Sequence, residues 1–174
     1  MTKEGRVILA FIIGTIVLVG GLAFWMTKVS SGDGSGRDKL VPNTPIEKLE
    51  ANPPGVMDLG DVPYRGGVIS KSFEVKNTSD SEISLKKITT SCMCTKAKFV
   101  VDGRESKFYG MEMNGDLNPL IDYKLAPGKT ARVIFDFDPA AHGPQGIGPV
   151  DRTITLFFDT GFKELSFHGV VANN

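Results

Sequence analysis

The chain has 174 residues, 41% of them hydrophobic, and its twenty Lys and Arg are balanced by twenty Asp and Glu. That length suits one folded domain. The even, scattered charge excludes both the electropositive footprint of nucleic-acid binding and polybasic attraction to anionic headgroups, so any membrane attachment must come from apolar length.

Such length occurs once, over residues 7–26 (VILAFIIGTIVLVGGLAFWM), which carry no charge. A helix of about twenty residues spans about 30 Å, the thickness of a bilayer's hydrocarbon core. A cleaved signal peptide competes with this reading, because Lys3 and Arg6 precede the run. A signal's apolar region is, however, only about 7–15 residues long and ends at small residues, whereas Phe24-Trp25-Met26 closes this one. The run therefore predicts an uncleaved transmembrane helix over 7–26 behind a cytoplasmic tail of residues 1–6. Trp25 fits an interfacial aromatic, with Lys28 beyond it.

The flanking positive charges nearly balance, Lys3, Arg6 and the terminal amine against Lys28, Arg37 and Lys39. The short basic tail reads as a signal-anchor: N-terminus inside, C-terminal domain outside the cytoplasm. Ala10 and Gly14 form a small-xxx-small pair that admits close packing of another helix, although ordinary small residues in an apolar helix give the same pattern.

Residues 27–55 read as a flexible linker. SSGDGSG opens it, and Pro42, Pro45, Pro53 and Pro54 surround a brief IEKLE segment with room for a helical turn or two. From residue 56 the hydrophobic period becomes two, as in half-buried strands. Ile69, Phe73 and Val75 alternate with Ser70, Ser72, Glu74 and Lys76, and residues 77–81 carry turn chemistry. Ile83 and Leu85 continue the pattern, Ile88 breaks it and predicts a bulge near the cysteines, and a strand is expected over 92–101. Beyond the turn at 126–129, Ala131, Val133, Phe135 and Phe137 share a face; Ile154, Leu156 and Phe158 form a further strand, and Leu165, Phe167, Gly169 and Val171 the last. Six or seven strands without an amphipathic helix predict an all-β sandwich over 56–174.

The order of motifs is more specific. VMDLGDVPYRGGVISKSFEVKNTSDSEISLKKITTSCMCT, then LAPGKTARVIFDFDP and ELSFHGVV, resembles the domain-of-unknown-function 1573 family of bacteria. The resemblance implies a Hydin-type immunoglobulin-like fold across residues 56–171, a bacterial inner membrane with the domain in the periplasm or outside, and no particular activity. Two departures stand out. Met93 occupies the place where the family has Gly between the cysteines, and residues 100–123 lengthen the interval to the Pro-Gly turn. That insertion, at about 100–124, reads as an extra hairpin turning at Asp102-Gly103, followed by a loop.

Chemistry concentrates at Cys92-Met93-Cys94. On an extended strand, residues i and i+2 share a face, so both sulfurs could meet one soft ion such as copper(I), with Met111 and Met113 as possible further thioethers. CxC on a membrane-anchored immunoglobulin-like domain is also similar to the arrangement in the cytochrome oxidase copper-assembly family. A disulfide between the two and burial as core sulfurs are the competing readings. His142 and His168 show neither zinc spacing nor a triad and read as surface residues, and Asp136 and Asp138 as the solvated side of a strand end.

These features give two expectations of function. The first is a non-catalytic accessory subunit without a cofactor, packed by its helix among lipids and by its sandwich on a larger membrane protein complex, respiratory or photosynthetic. The alternative is a copper-binding assembly factor using Cys92 and Cys94. Neither involves nucleic acid or an enzyme activity.

Overall fold

Alternating apolar residues leave a strand with one face to bury, and two such faces pressed together satisfy both. A computed structural model describes residues 42–113 and 115–173, and its strands form two such layers. The expected tail (1–6), the helix over 7–26 with Ala10 and Gly14, and the first part of the linker lie outside the described residues. Among the described residues, no helix is long and apolar enough to cross a membrane.

The strands in chain order are β1 (Leu49–Asn52), β2 (Val56–Pro63), β3 (Ile69–Asn77), β4 (Ile83–Thr90), β5 (Thr95–Val101), β6 (Arg104–Glu105), β7 (Tyr123–Leu125), β8 (Thr130–Phe137), β9 (Gly148–Phe158) and β10 (Gly161–Ala172). One sheet runs β1-β3-β8-β5-β6 and the other β2-β10-β9-β4-β7. All pairings are antiparallel except that of β2 with β10, whose register shifts between His168 and Val170. The fold is therefore an all-β two-sheet sandwich.

Its core is aromatic. Phe73 of β3 stacks on Phe135 of β8 at 5.6 Å, and Phe135 stacks at 4.6 Å on Phe167 of the opposite sheet. Phe137 meets the same Phe167 edge-on, and Phe99 of β5 meets Phe158 of β9 across the layers. These rings are fully buried, and offset or edge-on pairs of this kind contribute beyond their buried area.

Two sequence expectations need correction. Residues 49–52, assigned to the linker over 27–55, form β1, which pairs with β3 from Leu49↔Asn77 to Asn52↔Glu74. Leu49 drives this, since its side chain is fully buried and the prolines at 53 and 54 end a strand instead of stiffening a tether. The strand expected over 92–101 begins only at Thr95, because the cysteines occupy a turn closed by Thr95 N–H on the Cys92 carbonyl at 3.1 Å. The bulge expected from the broken phase at Ile88 is present in β4, between Leu85 and Lys87.

Candidate functional site

The Cys92-Met93-Cys94 turn carries the chain from β4 in one sheet to β5 in the other, and it is braced on both sides. Ser91 N–H donates to the Thr153 carbonyl of β9, and Thr153 N–H returns a bond to Ser91 Oγ. Asp138 N–H, just past β8, donates to the Cys94 carbonyl at 2.8 Å. Inside the turn the buried Thr90 hydroxyl lies 3.0 Å from the Cys92 carbonyl and 2.9 Å from that of Thr95, so its one proton serves both.

The two cysteines are bonded to each other. They are almost fully buried, Cys92 at 7% and Cys94 at 3% exposure, and each sulfur has a polar neighbour. His142 Nε2 lies 3.1 Å from Cys92 Sγ, which also accepts the Cys94 N–H at 3.2 Å. Arg152 donates through Nε to Cys94 Sγ at 3.2 Å and through one terminal nitrogen to the Asp151 carbonyl at 2.8 Å. The ligand atoms of Cys92, Cys94 and His142 all fall within 4.8 Å of one another.

Local sequence explains how an exposed histidine comes to stand over buried sulfurs. After β8, Asp138 Oδ1 accepts the Ala140 N–H at 2.9 Å, Gly143 N–H bonds the Ala140 carbonyl, and a 3-10 turn spans Gly143–Gly146. Gly146 passes so close that a side chain there would put its Cβ 3.1 Å from His142 Cβ. His142, Gln145, Gly146, Ile147, Pro149, Val150 and Arg152 line a depression of about 350 Å³. His142 and Arg152 thus form one wall between solvent and the cysteines.

The other expected residues fall elsewhere. Met111 and Met113 are exposed on the inserted segment, where the intervening Glu112 pairs with Lys87 Nζ at 3.3 Å and accepts the Asn118 N–H at 2.9 Å. Asn118 Nδ2 in turn donates to the Ile88 and Gly110 carbonyls, so the segment is tied to β4. Among the described residues, none of its hydrogen bonds reaches the cysteine turn. Met93 is exposed at the tip of that turn. His168 stands apart, its Nε2 3.1 Å from Asp58 Oδ1. The Gly60 backbone N–H on the same carboxylate, reinforced by His168, holds the Asp58 carboxyl below its ordinary range.

His142 and Arg152 are the site residues that spacing along the chain does not reveal. Their only sequence signal is the density of Gly and Pro around His142, which marks a loop of fixed shape. Chemically, two sulfurs that become thiolates on reduction, together with an imidazole, form a soft donor set suited to copper(I) or zinc.

Residues 54–105 match the family model described as protein of unknown function (DUF1573). That stretch contains both cysteines and stops short of His142 and Arg152. No curated protein sequence matches the chain. Among solved structures it is similar to a protein of unknown function from Porphyromonas gingivalis W83, with 14% identity and a TM-score of 0.49 over 71% of this chain and 46% of that one. It is also similar to PapD-like domain 7 of human CEP192, with 12% identity and a TM-score of 0.39 over 76% of this chain and 91% of that one. The periplasmic chaperone SfaE is a third, with 10% identity and a TM-score of 0.34 over 71% and 57%. This chain spans less than half the length of the first of these structures.

Proposed function

We propose that the chain is a membrane-anchored, exported, non-catalytic accessory protein whose immunoglobulin-like sandwich holds one soft metal ion of the copper(I) or zinc(II) type. Cys92, Cys94 and His142 supply the donors. The observation that carries this reading is the convergence of those three ligand atoms within 4.8 Å, on a turn braced from both sheets. The apolar run over 7–26 anchors the domain to the membrane, N-terminus inside, and places the site in the periplasm or outside.

The bonded pair must open before it can bind an ion. It takes two electrons and two protons from a dithiol reductant, which leaves as its own disulfide, and the two thiols then release protons to the incoming metal. Nearly complete burial protects the resulting thiolates from oxidants, and the exposed imidazole of His142 is the donor that solvent reaches first.

The test uses the full chain in detergent, reduced and freed of metal, with copper(I) affinity measured by competition against a chromophoric chelator. Cys92→Ser is expected to cost more than the roughly 10–100-fold that loss of an outer-shell partner costs, and His142→Ala at least about tenfold. Unchanged affinity in Cys92→Ser would sink the metal reading.

The second reading is docking on a larger membrane complex. It is favoured by Phe108, Met111, Met113, Leu117 and Leu120, all 37–44% exposed on the inserted segment. Apolar side chains gathered on one segment suit a protein partner. Mild-detergent extraction should then recover a stoichiometric partner that is lost when these residues are made polar.

A further inference from the structure

We infer that Arg152 makes this site selective for a singly charged ion, copper(I), over a doubly charged one, zinc(II); the inference rests on the metal reading above. Two thiolates carry two negative charges, and neutral His142 adds none. Copper(I) bound to them leaves a net charge of minus one, whereas zinc(II) leaves zero. The sulfurs are almost fully buried, and an uncompensated charge is costly there.

Arg152 changes that balance. Its guanidinium is permanently charged and lies against Cys94 Sγ through Nε at 3.2 Å, so the copper(I) site becomes neutral overall and the zinc(II) site carries one excess positive charge. The hydrogen bond to the Asp151 carbonyl fixes the guanidinium in this position. Of the other charged side chains near the turn, Lys96 and the Asp151 carboxylate are exposed and weakly felt at the sulfurs. Asp138, half-buried beside the turn, adds the same single negative charge whichever ion is bound, and part of it is directed to the Ala140 N–H through Oδ1.

The hydrogen bond itself points the same way. A guanidinium N–H gains little from a neutral disulfide sulfur and much more from a thiolate, where the bond is charge-assisted. Arg152 is therefore placed for the reduced site.

The experiment compares copper(I) and zinc(II) affinities of the reduced full chain in detergent, each by chelator competition, for the natural protein, Arg152→Gln, Arg152→Lys and Cys94→Ser. Arg152→Gln is expected to lose about 10–100-fold in copper(I) affinity, the range for an outer-shell partner, while zinc(II) affinity holds or rises. Arg152→Lys, which keeps the charge, should restore most of the copper(I) preference. A copper-to-zinc ratio unchanged in Arg152→Gln would overturn the inference. So would equal losses for both metals that Arg152→Lys does not repair, since Arg152 would then only shape the turn. A natural protein that binds neither ion, or Cys94→Ser with undiminished copper(I) affinity, would instead remove the metal site itself, and this inference with it.

Discussion

Asn77 closes β3 and uses its whole amide while fully buried. Its Nδ2 donates to the Ser81 carbonyl at 2.8 Å and the Leu125 carbonyl at 2.9 Å, and its Oδ1 accepts the Ser79 N–H and hydroxyl. Its backbone also exchanges hydrogen bonds with Lys129 and Gly128 of the Pro-Gly turn. One residue thus holds the 77–81 turn and β7 through its side chain, and the turn before β8 through its backbone. Asn77→Ala would leave buried carbonyls without donors, at a cost of about 2–4 kcal/mol, read as a lower denaturation midpoint. The sequence shows Asn77 only as turn chemistry, because its far partner Leu125 is a product of folding.

At the scale of elements, legibility followed burial on one face. β3, β8, β9 and β10 are long and bury alternate residues, so Phe73, Val133, Leu156 and Phe167 announced them. β1 is four residues long and flanked by prolines, too short to show a period. Its inclusion in the domain rests on Leu49, and Leu49→Ala should cost about 2–5 kcal/mol, as a fully buried leucine does. A loss near zero in chemical denaturation would return residues 49–52 to the linker. The cysteine turn escapes the pattern for a related reason: Thr90 and Thr95 close it through hydrogen bonds that hydrophobic period does not encode.

At the scale of the whole molecule, the sandwich supports the site without depending on it. The aromatic stack from Phe73 through Phe135 to Phe167 joins the two sheets, and the Cys92–Cys94 link closes a loop of only three residues. Such a loop constrains the unfolded chain weakly, by about 1–2 kcal/mol on the chain-entropy account. Reduction should therefore lower the thermal midpoint by no more than about 10 °C and leave the β-sheet circular dichroism intact. A domain that unfolds on reduction at room temperature would show the sulfurs to be structural, and both metal proposals would fail. The site itself was half legible. CxC is contiguous, whereas His142 and Arg152 reach it only because β8, β9 and the loop between them pack beside the β4–β5 crossing.

The parallel pairing of β2 with β10 leaves β2 at the rim of its sheet, its outer edge unpaired among the described residues. Rims of this kind invite a strand from a neighbouring molecule and so seed aggregation. β2 offers such a strand a poor template. Gly60 takes a left-handed φ of +64°, the ladder slips a register opposite it, Asp58 and Asp61 bring like charges, and Pro63 lacks the amide proton that would continue it. Copies of this domain can then stand close together without joining edge to edge.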